Sequence, residues 1–93
     1  MTDLNNLLKQ AKEMQEQFEK SQKQLAEQEV TGESGAGMVK VTMNGKHNVK
    51  NIALDSSLMT EDQTLVEDLI AAAVNDAVRK VAENNKNQLS GMA

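Results

Sequence analysis

The spacing of apolar residues changes twice along this chain, and those two changes limit the folds open to it. Between residues 3 and 28, Leu4, Ala11, Phe18 and Leu25 recur every seven positions, with Leu7, Met14 and Ser21 filling the second heptad position. In Met38–Met43 the period drops to two, placing Val39, Val41 and Met43 on one side. Beyond residue 60 the apolar set is Leu65, Val66, Leu69, Ile70, Ala73, Val74, Ala77, Val78 and Val81, at three- and four-residue steps. Helical side chains share a face every 3.6 residues and strand side chains alternate, so the order is helix, strands, helix. That is an α+β layout in one domain spanning residues 1–93.

The two helices differ in kind. The first has a narrow seam that fades after Phe18, with Gln10, Gln15, Gln17, Gln22 and Gln24 covering much of the remainder. So thin a stripe predicts a helix that projects from its own domain or pairs along the seam with a partner. Its outer face sets Lys9 against Glu13, Lys12 against Glu16, Glu16 against Lys20, Glu19 against Lys23 and Lys23 against Glu27 at four-residue spacing. Such pairs favour a solvated, ion-pair-laced helix. The second helix, running to about Gln88, has a face broad enough to cover a three-stranded sheet and still meet a second subunit. Thr60-Glu61-Asp62-Gln63 reads as its capping box, and Gly91 as its stop.

Between the helices, Val30–Gly37 is punctuated by glycine and predicts a short strand followed by a turn. Asn44-Gly45 predicts a two-residue type I′ hairpin, which needs positive φ at both positions. The returning strand, His47 to Leu54, puts Ile52 and Leu54 on one face but Val49 on the other parity. Either a bulge corrects that register or Val49 points outward.

Ninety-three residues bury a thin core, which disulfides, a metal or a partner subunit usually supplements. The chain has no cysteine and one histidine, so oligomerisation is the expected remedy. No apolar run approaches a membrane span, and the N-terminus lacks a basic-then-apolar leader, which predicts a cytoplasmic protein. Phe18 is the only aromatic residue, so a base-stacking platform for single strands cannot be built.

Catalytic motifs are weak throughout. Gly32-Glu33-Ser34-Gly35-Ala36 has alanine where a nucleophile elbow needs glycine. Gly35-Ala36-Gly37 lacks the last glycine of a dinucleotide fingerprint, and His47 sits alone by a hairpin. Glu61-Asp62 and Glu67-Asp68 are neighbours on a helix, where side chains diverge by about 100°. We therefore expect no catalytic residue, no metal, no cofactor and no small-molecule substrate.

The net charge of −4 opposes indiscriminate nucleic-acid binding, but local patches decide more than the total. Residues 30–54 carry Lys40, Lys46 and Lys50 against Glu33, and the end of the last helix carries Arg79, Lys80 and Lys86 against Glu83. A second copy would double each patch into a phosphate-contacting surface. Without a helix-turn-helix pattern or arginine-rich segment, backbone and shape contacts are expected rather than base reading.

The run Val30-Thr31-Gly32-Glu33-Ser34-Gly35-Ala36-Gly37-Met38-Val39-Lys40-Val41-Thr42-Met43-Asn44-Gly45 closely resembles the central segment of the YbaB/EbfC family. His47-Asn48, Ile52 to Asp55, Ser57-Leu58, Glu67 to Ala77 and Gln10 to Gln15 are similar to that family as well. The resemblance implies an α-β-β-β-α domain with a three-stranded antiparallel sheet, forming a tweezer-like homodimer. It implies a nucleoid-associated protein that binds double-stranded DNA, organises the nucleoid and modulates transcription. It also implies contacts through charged residues of the helices, which here are Lys9, Lys12, Lys20, Lys23, Arg79, Lys80 and Lys86. The alternative is an interaction adaptor that lays the Leu4–Phe18 seam of its projecting first helix into a partner protein.

Overall fold

The structure, a computed structural model, describes residues 2–92, with side chains from residue 3 to residue 87. Helix α1 spans Thr2–Glu27, strands β1, β2 and β3 span Glu29–Ser34, Val39–Asn44 and Val49–Leu54, and helix α2 spans Gln63–Met92. The sheet is antiparallel in the order β1-β2-β3, so the chain is α-β-β-β-α as expected. The described body measures 72 × 22 × 16 Å, far from a sphere, because α1 stands away from it.

One close approach fixes where α2 lies. Gly32 in β1 faces the helix, and a Cβ built there would overlap Ala73 O and Ala77 N and come within 2.7 Å of Ala77 Cβ. Glycine on the strand and alanines one turn apart on the helix let the two backbones nearly touch. Val39, Val41, Met43, Leu58, Ala73, Ala77 and Val81 form the buried core around that contact.

Centred on β1 and β2, α2 leaves β3 uncovered. The broad helical face thus covers two strands rather than the three its width suggested. Val39 pairs with Leu54 and Val41 with Ile52, so these β3 side chains share the core face. Yet Val49 and Ile52 are each 44 % exposed and Leu54 is 37 % exposed. Val49 is brought to this face by a register shift between Thr42 and Met43, which pairs Met43 with Val49 and leaves Lys50 as the extra residue of a bulge. The bulge alternative is the one adopted.

The β2–β3 hairpin forms at Asn44-Gly45, but not as a type I′ turn. Neither residue has positive φ; His47 does, at 66°. Asn44 O accepts from His47 N at 3.0 Å and Asn44 N donates to Asn48 O at 2.9 Å, giving a three-residue loop with its left-handed residue last. Gly45 serves another purpose: its N–H donates to Leu25 O at 2.9 Å and Gln28 O at 3.1 Å. It thereby satisfies carbonyls that the end of α1 leaves open, and a Cβ there would lie 2.6 Å from Leu25 O. The I′ signature appears instead in the β1–β2 turn, where Gly35 and Ala36 have φ of 59° and 55°.

The predicted capping box at Thr60 is not made. Leu58 is drawn into the core by a short 3-10 turn, Ser56–Thr60, and Thr60 Oγ1 is used there, donating to Ser57 O at 3.0 Å. Helix α2 begins later, with Val66 N donating to Asp62 O, while Gln63 Nε2 donates to Glu67 Oε1. Asp55 caps the short turn, accepting from Ser57 N and Ser57 Oγ, and these bonds hold its carboxyl below the usual range. Gly91 does not stop α2, which runs one residue past it to Met92.

Replacing Gly32 by alanine should force α2 away from β1 and cost about 1–3 kcal/mol. Urea denaturation should show a lower midpoint with little change of slope.

Candidate nucleic-acid interface

Among the described residues, helix α1 meets its own body near its C-terminal end, where Leu25 and the following Gln28 contact Gly45. Leu4, Leu7, Leu8, Met14 and Phe18 are 61–70 % exposed, so the seam is unpartnered among the described residues. All four lysines of α1 are exposed. At 100° per residue they fall within about 80° of one another, on the side opposite the seam. Lys9/Lys12 and Lys20/Lys23 form two pairs eleven residues apart, which at 1.5 Å per residue is about 16 Å along the axis.

The four-residue ion pairs expected along α1 are not closed. Among the described residues the ion pairs are Lys50–Glu29, Arg79–Asp76 and Lys80–Asp76. Holding two long, solvated side chains together costs rotamer entropy that an exposed pair barely offsets. The α1 lysines therefore present free ammonium groups, although Glu13, Glu16, Glu19 and Glu27 share their side of the helix.

The cations of α2 divide into two kinds. Arg79 and Lys86 are seven residues apart and so nearly in line, with Arg79 loosely paired to Asp76 at 3.5 Å. Lys80 turns toward the sheet, where its Nζ donates to Thr31 O at 2.7 Å and lies 3.2 Å from Asp76 Oδ2. Asp76 Oδ2 also accepts from Glu33 N at 3.0 Å. This Asp76–Lys80 clasp engages backbone groups that the edge strand β1 would otherwise offer to another chain. Sequence reading missed it because Lys80 looks like its neighbours; the one available signal is the four-residue spacing of Asp76 and Lys80.

The opposite edge differs. Asp55 N donates to Met38 O at 2.8 Å, which sets the alternation of the ladder. Residues 51 and 53 then turn their backbone groups toward β2, while those of Ile52 and Leu54 turn outward. The sheet thus has a stitched edge at β1 and an open, apolar one at β3. On the sheet, Lys40, Lys46 and Lys50 are exposed, and Lys50 Nζ contacts Glu29 Oε1 at 3.0 Å.

An open cleft of about 340 Å³ is lined by Gln28, Glu29, Asn84 and Asn87 and pairs no nucleophile with a base. No group of three His, Cys, Asp or Glu side chains converges among the described residues, and no described helix is long and apolar enough to cross a membrane.

Comparison with known proteins bears on the family and the fold. The model of the YbaB/EbfC DNA-binding family matches residues 1–93. The chain is also similar to the crystal structure of an uncharacterized protein, HP0035, from Helicobacter pylori, at 30 % identity and a TM-score of 0.69. That match covers 89 % of this chain and 98 % of the other.

The Glu33 amide, followed by the Lys80 ammonium, lowers the pKa of Asp76 below its ordinary value. A depressed folded pKa adds stability above the unfolded value, and that contribution disappears as pH falls through the folded one. The stability difference between the wild type and Asp76→Asn should therefore be full at neutral pH and shrink progressively below the usual carboxylate range. Thermal melts across a pH series check this.

Proposed function

The chain belongs to the YbaB/EbfC DNA-binding family, and we propose that it binds double-stranded DNA as a homodimer whose paired α1 arms neutralise backbone phosphates. The observation that carries this reading is the free-standing α1, with unpaired lysines on one face and an unfilled apolar seam on the other. One copy is net anionic and spreads its cations thinly; two copies bring eight arm lysines to one duplex. Arg79 and Lys86 extend the cationic surface, whereas the Lys80 ammonium belongs first to the clasp. Contacts of this type track charge and shape, so the protein organises DNA and influences transcription without strong base preference, in the nucleoid.

The second copy joins through β3. Val49, Ile52 and Leu54 leave an apolar strip on the core face, and the adjoining edge has unpaired backbone groups. A second copy is the occupant because it supplies the same strip and edge in return, which a two-fold axis requires. The exposed Leu4–Phe18 seam favours one other reading, a helix-in-groove contact with another protein. Salt separates the two. Phosphate binding weakens about linearly in log[salt], whereas a groove contact scarcely responds.

Exchanging Lys9, Lys12, Lys20 and Lys23 for alanine should weaken duplex binding and flatten the log–log salt slope by about 0.9 for each phosphate left without its lysine. Lys80→Ala should lower thermal stability with a smaller change in that slope. Fluorescence anisotropy at several salt concentrations, with thermal melts, measures both. Ile52→Lys with Leu54→Lys should convert the dimer to a folded monomer, read by sedimentation and circular dichroism.

A further inference from the structure

Asn44-Gly45 is the only Asn-Gly pair in the chain. In an open peptide this pair is labile, because no glycine Cβ shields the nitrogen that attacks the neighbouring side chain. The Gly45 nitrogen loses its proton and bonds to Asn44 Cγ, and the side-chain nitrogen leaves as ammonia. Water then opens the cyclic imide at one carbonyl or the other, giving aspartate or isoaspartate.

We propose that Asn44 is a latent deamidation site kept inert by the seating of α1 on the β2–β3 hairpin. Both reacting groups are held. The nucleophile's proton is shared between Leu25 O at 2.9 Å and Gln28 O at 3.1 Å, so the nitrogen cannot lose it without breaking the contact with the arm. The electrophile is clamped as well: Asn44 Oδ1 accepts from Lys46 N at 2.9 Å and Asn48 N at 3.0 Å. Asn44 is 7 % exposed, which restricts the approach of water. The Leu25 side chain lies close against Gly45.

Protection therefore depends on α1 staying seated, and α1 has little else holding it. When the arm lifts, the Gly45 N–H is freed and the reaction can begin. The two products differ in consequence. Aspartate keeps an oxygen for Lys46 N and Asn48 N and preserves the loop. Isoaspartate adds a methylene to the main chain between Asn44 and Gly45, moves the Gly45 N–H away from Leu25 and Gln28, and unlatches the arm for good. The site is thus a chemical record of arm opening, and it stands apart from the DNA-binding reading.

The full chain is incubated at mildly alkaline pH, natively and in urea, and deamidation at Asn44 is followed by peptide mass spectrometry with isoaspartate detection. The native chain should react at least roughly tenfold more slowly than the unfolded one, the ratio reporting local opening. Leu25→Asp, which unseats the arm, should approach the unfolded rate, while Phe18→Ala, far along α1, should behave as wild type. Should Leu25→Asp unfold, hydrogen exchange at the Gly45 amide replaces it. Across dilute urea, the exchange and deamidation rates of the wild type should rise together. A native rate within about tenfold of the unfolded rate would overturn the proposal. So would an Asn44 that stays unreactive while Gly45 exchanges freely.

Discussion

The near-contact of two backbones at Gly32 organises the molecule. Because β1 has no side chain there and α2 presents Ala73 and Ala77, the helix settles over β1 and β2. Three consequences follow. Asp76 and Lys80 reach the β1 edge and close it. The third strand keeps its apolar side chains but has no helix above it. And α1, which packs on neither face of the sheet among the described residues, is held where Leu25 O and Gln28 O meet Gly45 N.

These features give the chain its division of labour. The body is small, with seven apolar residues fully buried among those described, a core that a partner subunit commonly supplements at this size. The arm is long and solvated, and its lysines are exposed and make no ion pair among the described residues. The chain is nonetheless net anionic, and Glu13, Glu16, Glu19 and Glu27 of α1 lie among its lysines.

Much of the architecture was legible in the sequence, and the exceptions share a cause. The helix–strand–helix order follows from the changes in apolar period, and the thin α1 seam foretold a helix detached from its own domain. What sequence patterns misjudged were residues whose role is set by a distant part of the chain. Asn44-Gly45 carries the local signature of a type I′ turn, but Gly45 is needed for the end of α1, and the left-handed residue moves to His47. Thr60 has the pattern of a cap, but the burial of Leu58 imposes a short turn that uses its hydroxyl first. Lys80 reads as one more surface cation until the adjacent strand supplies Thr31 O. The parity of Val49 left two possibilities, and pairing with Met43 selected the bulge. The lysines of α1 project where their spacing implied, yet without the ion pairs that spacing also suggested.

Binding stoichiometry tests the core of the account most directly. Sedimentation of the protein with a short duplex, from excess DNA to excess protein, gives the smallest complex that forms. If paired arms supply the cationic surface, that complex contains two chains even when DNA is in excess. A stable complex of one chain per duplex, with the same sensitivity to salt, would contradict it.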